Sequence, residues 1–187
     1  MIVGVPKEIK DNEKRVSITP FGAQELVNDN NTVYVENNAG IGSGFTNDDY
    51  ILSGAKILSS AEDVYNKSKM IVKVKEPQPS EVKYIRQDHI VFTFFHFAAD
   101  RPMTDSILET GCCSIAYETV QDKDGSLPIL APMSEVAGRM SVQNGAKCLE
   151  GSMGGKGKLL GGVPGVEPST VTVIGGGIVG TNAAKLA

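Results

Sequence analysis

The chain has 187 residues, enough for one ordinary domain or for a domain and part of another. Its hydrophobic fraction of 41%, charged fraction of 21% and formal charge of -4 are those of a soluble globular protein, with no electrostatic reason to bind nucleic acid or an anionic membrane. No apolar run approaches the roughly 20 residues that span a bilayer, and the start, MIVGVPKEIKDNEKR, has an apolar run before its charges, the reverse of a secretory signal.

Short β-type runs alternate with helical stretches. Ile2 to Val5 is apolar and stops at Pro6. Pro20 to Asn28 repeats apolar residues at helical spacing, with Thr19 as N-cap and Pro20 at the first helical position. Thr32 to Val35 reads as a strand, Gly40, Gly42 and Gly44 as a loop, and Asn47 to Ser53 as a helix. Met70 to Val74 predicts a strand closing on Lys75-Glu76-Pro77, followed by strands at His89 to Phe95 and Cys113 to Tyr117. Alternation of this kind predicts an α/β fold with a mostly parallel sheet covered on both faces.

The composition shifts after Asp122. Pro128 and Pro132 are expected to bracket a turn, and Ser134 to Glu150 reads as a long helix. Gly151 to Pro168 is a glycine-rich loop without apolar periodicity, longer than ordinary connections. Thr170 to Ile174 is β-branched and predicts a strand, followed by Gly175-Gly176-Gly177-Ile178-Val179-Gly180 and the opening of a helix at Thr181. Residues 1–130 thus read as one domain and 131–187 as a connecting helix, a loop and the first β-turn-α of a second.

Four constellations could carry chemistry. Gly175, Gly177 and Gly180 fit GxGxxG between a strand and a helix, where a pyrophosphate can lie against helix-terminal amides; the alternative is a purely structural turn. Arg15, in the polar loop after the first strand, is either solvated or a bidentate partner for a carboxylate. Lys75 lies at the carboxyl end of a strand, where open α/β sheets place ligands, and Lys73 shares its face, so the pattern does not choose between them. His96 closes the run Ile90 to Phe95 and is either a core histidine or a proton-transfer group; His89, at the other end, is the weaker candidate. No serine has a GxSxG context, and neither the histidines nor Cys112, Cys113 and Cys148 have metal-ligand spacing. The odd cysteine count suits a reducing cytoplasm.

GVPKEIKDNEKRVSITP, VKVKEP, FTFFHFAAD, LAPMSEVAGRMSVQNGAKCLE and GGGIVGTNAAKLA together resemble the alanine dehydrogenase and transhydrogenase family along the whole chain. The resemblance implies a Rossmann-like N-terminal catalytic domain followed by the start of a Rossmann NAD-binding domain. It implies that Arg15 and Lys75 bind the substrate's carboxylate and carbonyl region, that Met133 borders the substrate, and that His96 is the acid/base. It further implies that Ser134, Gly175, Gly177, Ile178, Val179 and Gly180 hold NAD. The implied reaction is reversible oxidative deamination of L-alanine to pyruvate and ammonium in a cytoplasmic homo-hexamer. In the family the nucleotide domain continues past this turn, supplying an acidic ribose ligand and a catalytic aspartate, so these residues are expected to be inactive alone. The alternatives are the NAD(H)-binding subunit of a proton-translocating transhydrogenase and a non-catalytic fragment.

Overall fold

A computed structural model describes all of residues 1–187, which divide into two compact units, Met1–Val120 and Gln121–Ala187. The strands of the first unit are β1 (Ile2–Val5), β2 (Thr32–Glu36), β3 (Lys56–Leu58), β4 (Met70–Lys75), β5 (Ile90–Phe94) and β6 (Cys113–Ala116). Its helices are α1 (Pro20–Asn28), α2 (Asn47–Leu52), α3 (Ala61–Lys67), α4 (Pro79–Val82) and α5 (Arg101–Thr110). All strand pairs are parallel, and the order is β3-β2-β1-β4-β5-β6. This is a doubly wound α/β sheet, in which the winding reverses between β1 and β4.

Strand alternation explains how both faces are covered. Val5 joins Val33 and Val35 of β2 in one apolar cluster with Ala23 of α1 and Tyr50 of α2. Gly4 points the other way, and any side chain there would collide with Val64 and Ser68 at α3. Ile71 of β4, aligned with Gly4, lies in a second cluster with Tyr65 of α3, Val91 of β5 and Ile107 of α5.

Helix starts follow local side-chain chemistry. The Thr19 hydroxyl accepts the Gly22 amide, Ser60 accepts the Asp63 amide, and Thr46 and Asp49 form a reciprocal capping box. The β3-α3 pair and helices α4 and α5 lie where the sequence reading assigned nothing. Asp100 caps α5 and Pro102 occupies its first turn, both ordinary helix-start signals.

The second unit contains α6 (Ala131–Leu149) and α7 (Ile178–Leu186), packed together. Two expectations are corrected here. Helix α6 begins three residues before Ser134, and Pro132 sits inside its first turn, where its missing N–H has no intrahelical partner to lose. Thr170 to Ile174 forms no strand, because no other segment lies alongside it to complete a ladder, and Ile174 is 97% exposed. No helix is long and apolar enough to cross a membrane.

Candidate functional site

The crevice outside the carboxyl ends of β1 and β4 is where a doubly wound sheet leaves room for a ligand. Arg15 comes from the loop after β1, Lys75 is the last residue of β4, and His96 follows the end of β5.

The Arg15 guanidinium donates through Nε and Nη2 to both oxygens of Glu13, at 2.9 and 2.7 Å. Those hydrogen bonds hold the Glu13 carboxyl down at about 2, assisted by the charges of Arg15 and Lys75. One carboxylate therefore senses both cations. Arg15 and Glu13 line a cleft of about 770 Å³ together with Lys7, Glu8 and the Asn38–Ala39 turn.

The two lysines that the pattern left unresolved have different environments. Lys73 is fully buried, its ammonium 3.2 Å from Glu8 and 2.9 Å from Glu81. Lys75 is half-buried and makes no ion pair with any carboxylate. Its backbone is gripped instead: Thr93 donates to its carbonyl at 2.8 Å, and its N–H points at Glu8.

His96 is exposed and adopts the left-handed backbone conformation, φ 54°. For a non-glycine residue this is uncommon and must be held by its surroundings. The Glu118 carboxylate accepts its N–H at 2.6 Å, and its ring stacks 6.0 Å from that of Phe94. Phe94 is the register partner of Lys75, so His96 and Lys75 emerge from neighbouring strands. His89, in contrast, is buried, and both ring nitrogens are occupied. Its Nδ1 accepts the Arg86 amide, which leaves Nε2 to donate to the Tyr65 carbonyl; burial lowers its pKa, so it is a neutral core group.

Within the second unit, Ser134, Gly175, Gly177, Ile178, Val179 and Gly180 all line a groove of about 600 Å³. Met133, half-buried in the first turn of α6, is not among the lining residues. The glycines differ in what requires them. Gly175 has φ 102°, a conformation that side chains resist, and a Cβ on Gly180 would collide with the Gly175 carbonyl. A Cβ on Gly177 would meet nothing within 4 Å, so the space beside its backbone is open at the start of α7. A tight turn, open backbone and close helix contact are what a dinucleotide's pyrophosphate needs, so the residues fit such a cofactor.

Sequence reasoning assigned no role to Glu8, Glu13 or Glu118. Glu13 carried a faint signal, two positions from Arg15. Glu118 lies 22 residues from the amide it holds, and no local pattern announces that pairing.

The first unit is a doubly wound α/β sheet with cationic groups at its switch point, and the second is a helix pair carrying a glycine turn that fits a dinucleotide. The chain belongs to the alanine dehydrogenase/PNT family: residues 4–137 match the model of its N-terminal domain and residues 141–187 that of its C-terminal domain. An alanine dehydrogenase of Methanococcus maripaludis is 54% identical over the whole of this chain and 50% of its own length. A solved L-alanine dehydrogenase matches 99% of this chain and 51% of its own, with 50% identity and a TM-score of 0.90. A transhydrogenase structure from Sinorhizobium meliloti is more distant, 25% identical over 79% of this chain and 44% of its own, with a TM-score of 0.69. The chain spans about half the length of the curated relatives it matches.

Proposed function

We propose that this chain carries the substrate-binding part and the first cofactor-binding turn of an NAD-dependent alanine dehydrogenase, which interconverts L-alanine, water and NAD⁺ with pyruvate, ammonium, NADH and a proton. The observation that carries the reading is that Arg15 lines an open cleft in the loop after β1, while Lys75 closes β4 and His96 follows the end of the neighbouring strand β5.

In this mechanism Arg15 binds the substrate carboxylate through the edge of its guanidinium that Glu13 does not occupy. Lys75 stabilises the negative charge that develops on the carbonyl or carbinolamine oxygen. His96, exposed at the end of β5, moves protons to and from that oxygen. Met133 borders the substrate, and Ser134 with the Gly175–Gly180 turn holds the cofactor, whose nicotinamide exchanges hydride with the substrate Cα when bound. The homo-hexameric assembly and cytoplasmic setting implied by the family resemblance belong to the same proposal.

The identity gap between the two kinds of relative, 54% against 25%, favours alanine dehydrogenase over a transhydrogenase subunit. The direct test is NADH formation by the full-length protein supplied with L-alanine and NAD⁺. Alanine-dependent reduction is expected. Its absence, together with hydride exchange between nicotinamide nucleotides in the presence of a membrane partner, would replace this reading with the transhydrogenase one.

A further inference from the structure

The ladder between β4 and β5 shifts register between Val72 and Lys75. A shift of this kind leaves strand amides without their regular carbonyl partners. Here a side chain takes that role: Glu8 Oε1 accepts the Val74 amide at 2.6 Å and faces the Lys75 amide at 3.4 Å. Glu8 belongs to the segment after β1, so the carboxylate bridges the two strands on either side of the sheet's switch point.

Its other oxygen, Oε2, accepts from the Lys73 ammonium, which also reaches Glu81 Oε1 in α4. Glu81 Oε2 in turn accepts the Gln78 amide at 2.8 Å, and its Oε1 accepts the Tyr65 hydroxyl at 3.3 Å. The segment between Val74 and Gln78, which contains Lys75, is therefore anchored at both ends by carboxylates that share one ammonium.

All three charged side chains are almost completely buried, at 3% exposure or less. Buried ion pairs are poor sources of net stability, because the desolvation of each charge offsets their attraction. Burial pushes the Glu8 carboxyl up, while the Lys73 charge and the Val74 amide favour its ionised form. Geometry is a better account of this cluster than stability, because it places a fixed acceptor under the backbone of a residue with a free ammonium.

We propose that the Glu8–Lys73–Glu81 cluster is a positioning device for Lys75: it fixes the backbone at the end of β4 and so aims the Lys75 ammonium into the crevice. The inference rests on the reading above that Lys75 binds substrate. Lys73 and Glu81 do not line the Arg15 cleft, and Glu8 reaches it with both oxygens already engaged by the Val74 amide and the Lys73 ammonium, so all three are positioning residues.

Two measurements on the full-length protein test it. In Glu8→Ala, kcat/KM for pyruvate should fall at least tenfold at saturating NADH and ammonium, with the Kd for NADH unchanged. Glu8→Gln, which keeps an oxygen for the Val74 amide, should recover part of that loss. A folded Glu8→Ala enzyme with kcat/KM for pyruvate within twofold of the parent would overturn the proposal. The second measurement needs no variant: in the unaltered protein the Val74 and Lys75 amides should exchange with deuterium as slowly as the Ile71 amide in the same strand. Exchange as fast as that of exposed loop amides overturns the clamp even where Glu8→Ala does not fold. A parent protein inactive with alanine would refute the function, and the exchange rates would still decide whether the clamp exists.

Discussion

Glu13 takes one edge of the Arg15 guanidinium, Nε and Nη2, and leaves the edge containing Nη1 without a protein partner. A planar fork held along one side is already oriented for a second carboxylate on the other, so less freedom is lost when substrate binds. Glu13→Gln should raise KM for alanine about tenfold, the size of one charge-assisted hydrogen bond, with a smaller effect on kcat. Unchanged steady-state constants would show that Arg15 needs no such support. The pair also has an acid signature. The folded-state pKa of Glu13 is about 2 against an ordinary 4.5, so its stabilising effect is complete above about pH 4.5 and fades as pH falls towards 2. An NMR titration of the Glu13 carboxyl should give a midpoint close to 2, and a midpoint near 4.5 would mean the pair does not persist in solution. For His96 the expectation is larger: in the full-length protein His96→Ala should lose at least about a hundredfold in kcat, the usual scale of acid/base catalysis. Near-normal kcat would remove the imidazole from the mechanism.

Among the elements, those with a complete local signal were legible in the sequence. β1 and α1 have the bounds expected, because Pro6 and Pro20 mark them and Thr19 caps the helix with its own hydroxyl. Thr170 to Ile174 has the residues of a strand, yet strand formation requires a neighbour, and composition cannot supply one. The reading of Lys73 against Lys75 was open for a related reason: they share a face in the pattern, and only α4, four residues long and missed in the sequence, brings Glu81 to Lys73. Helix α3 offers a direct check on the local rules. Ser60 accepts the Asp63 amide at 3.1 Å, so Ser60→Ala should cost about 1 kcal/mol of stability in chemical denaturation. A loss below the error of the measurement would mean that water satisfies the freed amide. Packing between α6 and α7 is tighter. A Cβ on Gly138 would collide with the Val179 carbonyl, and neither backbone can yield as a flexible side chain could. Gly138→Ala should therefore destabilise the second unit by about 1–3 kcal/mol, as overpacked sites do.

Across the whole molecule, stability should be distributed unevenly because the two units bury apolar residues to different degrees. The first unit has a parallel sheet with Val5, Val33, Val35, Ile71 and Val91 almost inaccessible to solvent. In the second, Val171, Val173, Ile174, Ile178 and Val179 are exposed, and the amides of residues 170–177 find no backbone acceptor. Amides of that kind open without disrupting a core. In the 187-residue polypeptide the amides of Val171 to Ile174 should thus exchange at nearly the rate of an unstructured chain, while those of Val33 and Ile71 should be protected close to the global limit. NAD offers a way to test what the glycine turn contributes. A ligand that binds only the folded state stabilises it by about 2.7 kcal/mol at a hundredfold excess over its Kd. If the groove lined by Ser134 and Gly175 binds the dinucleotide, added NAD should slow exchange at Ile178 to Thr181, the first turn of α7, and leave the β1–β6 amides unchanged. Equal slowing in both units would point to a binding mode other than the glycine turn, and no slowing anywhere would show that these residues need further contacts before they hold a nucleotide.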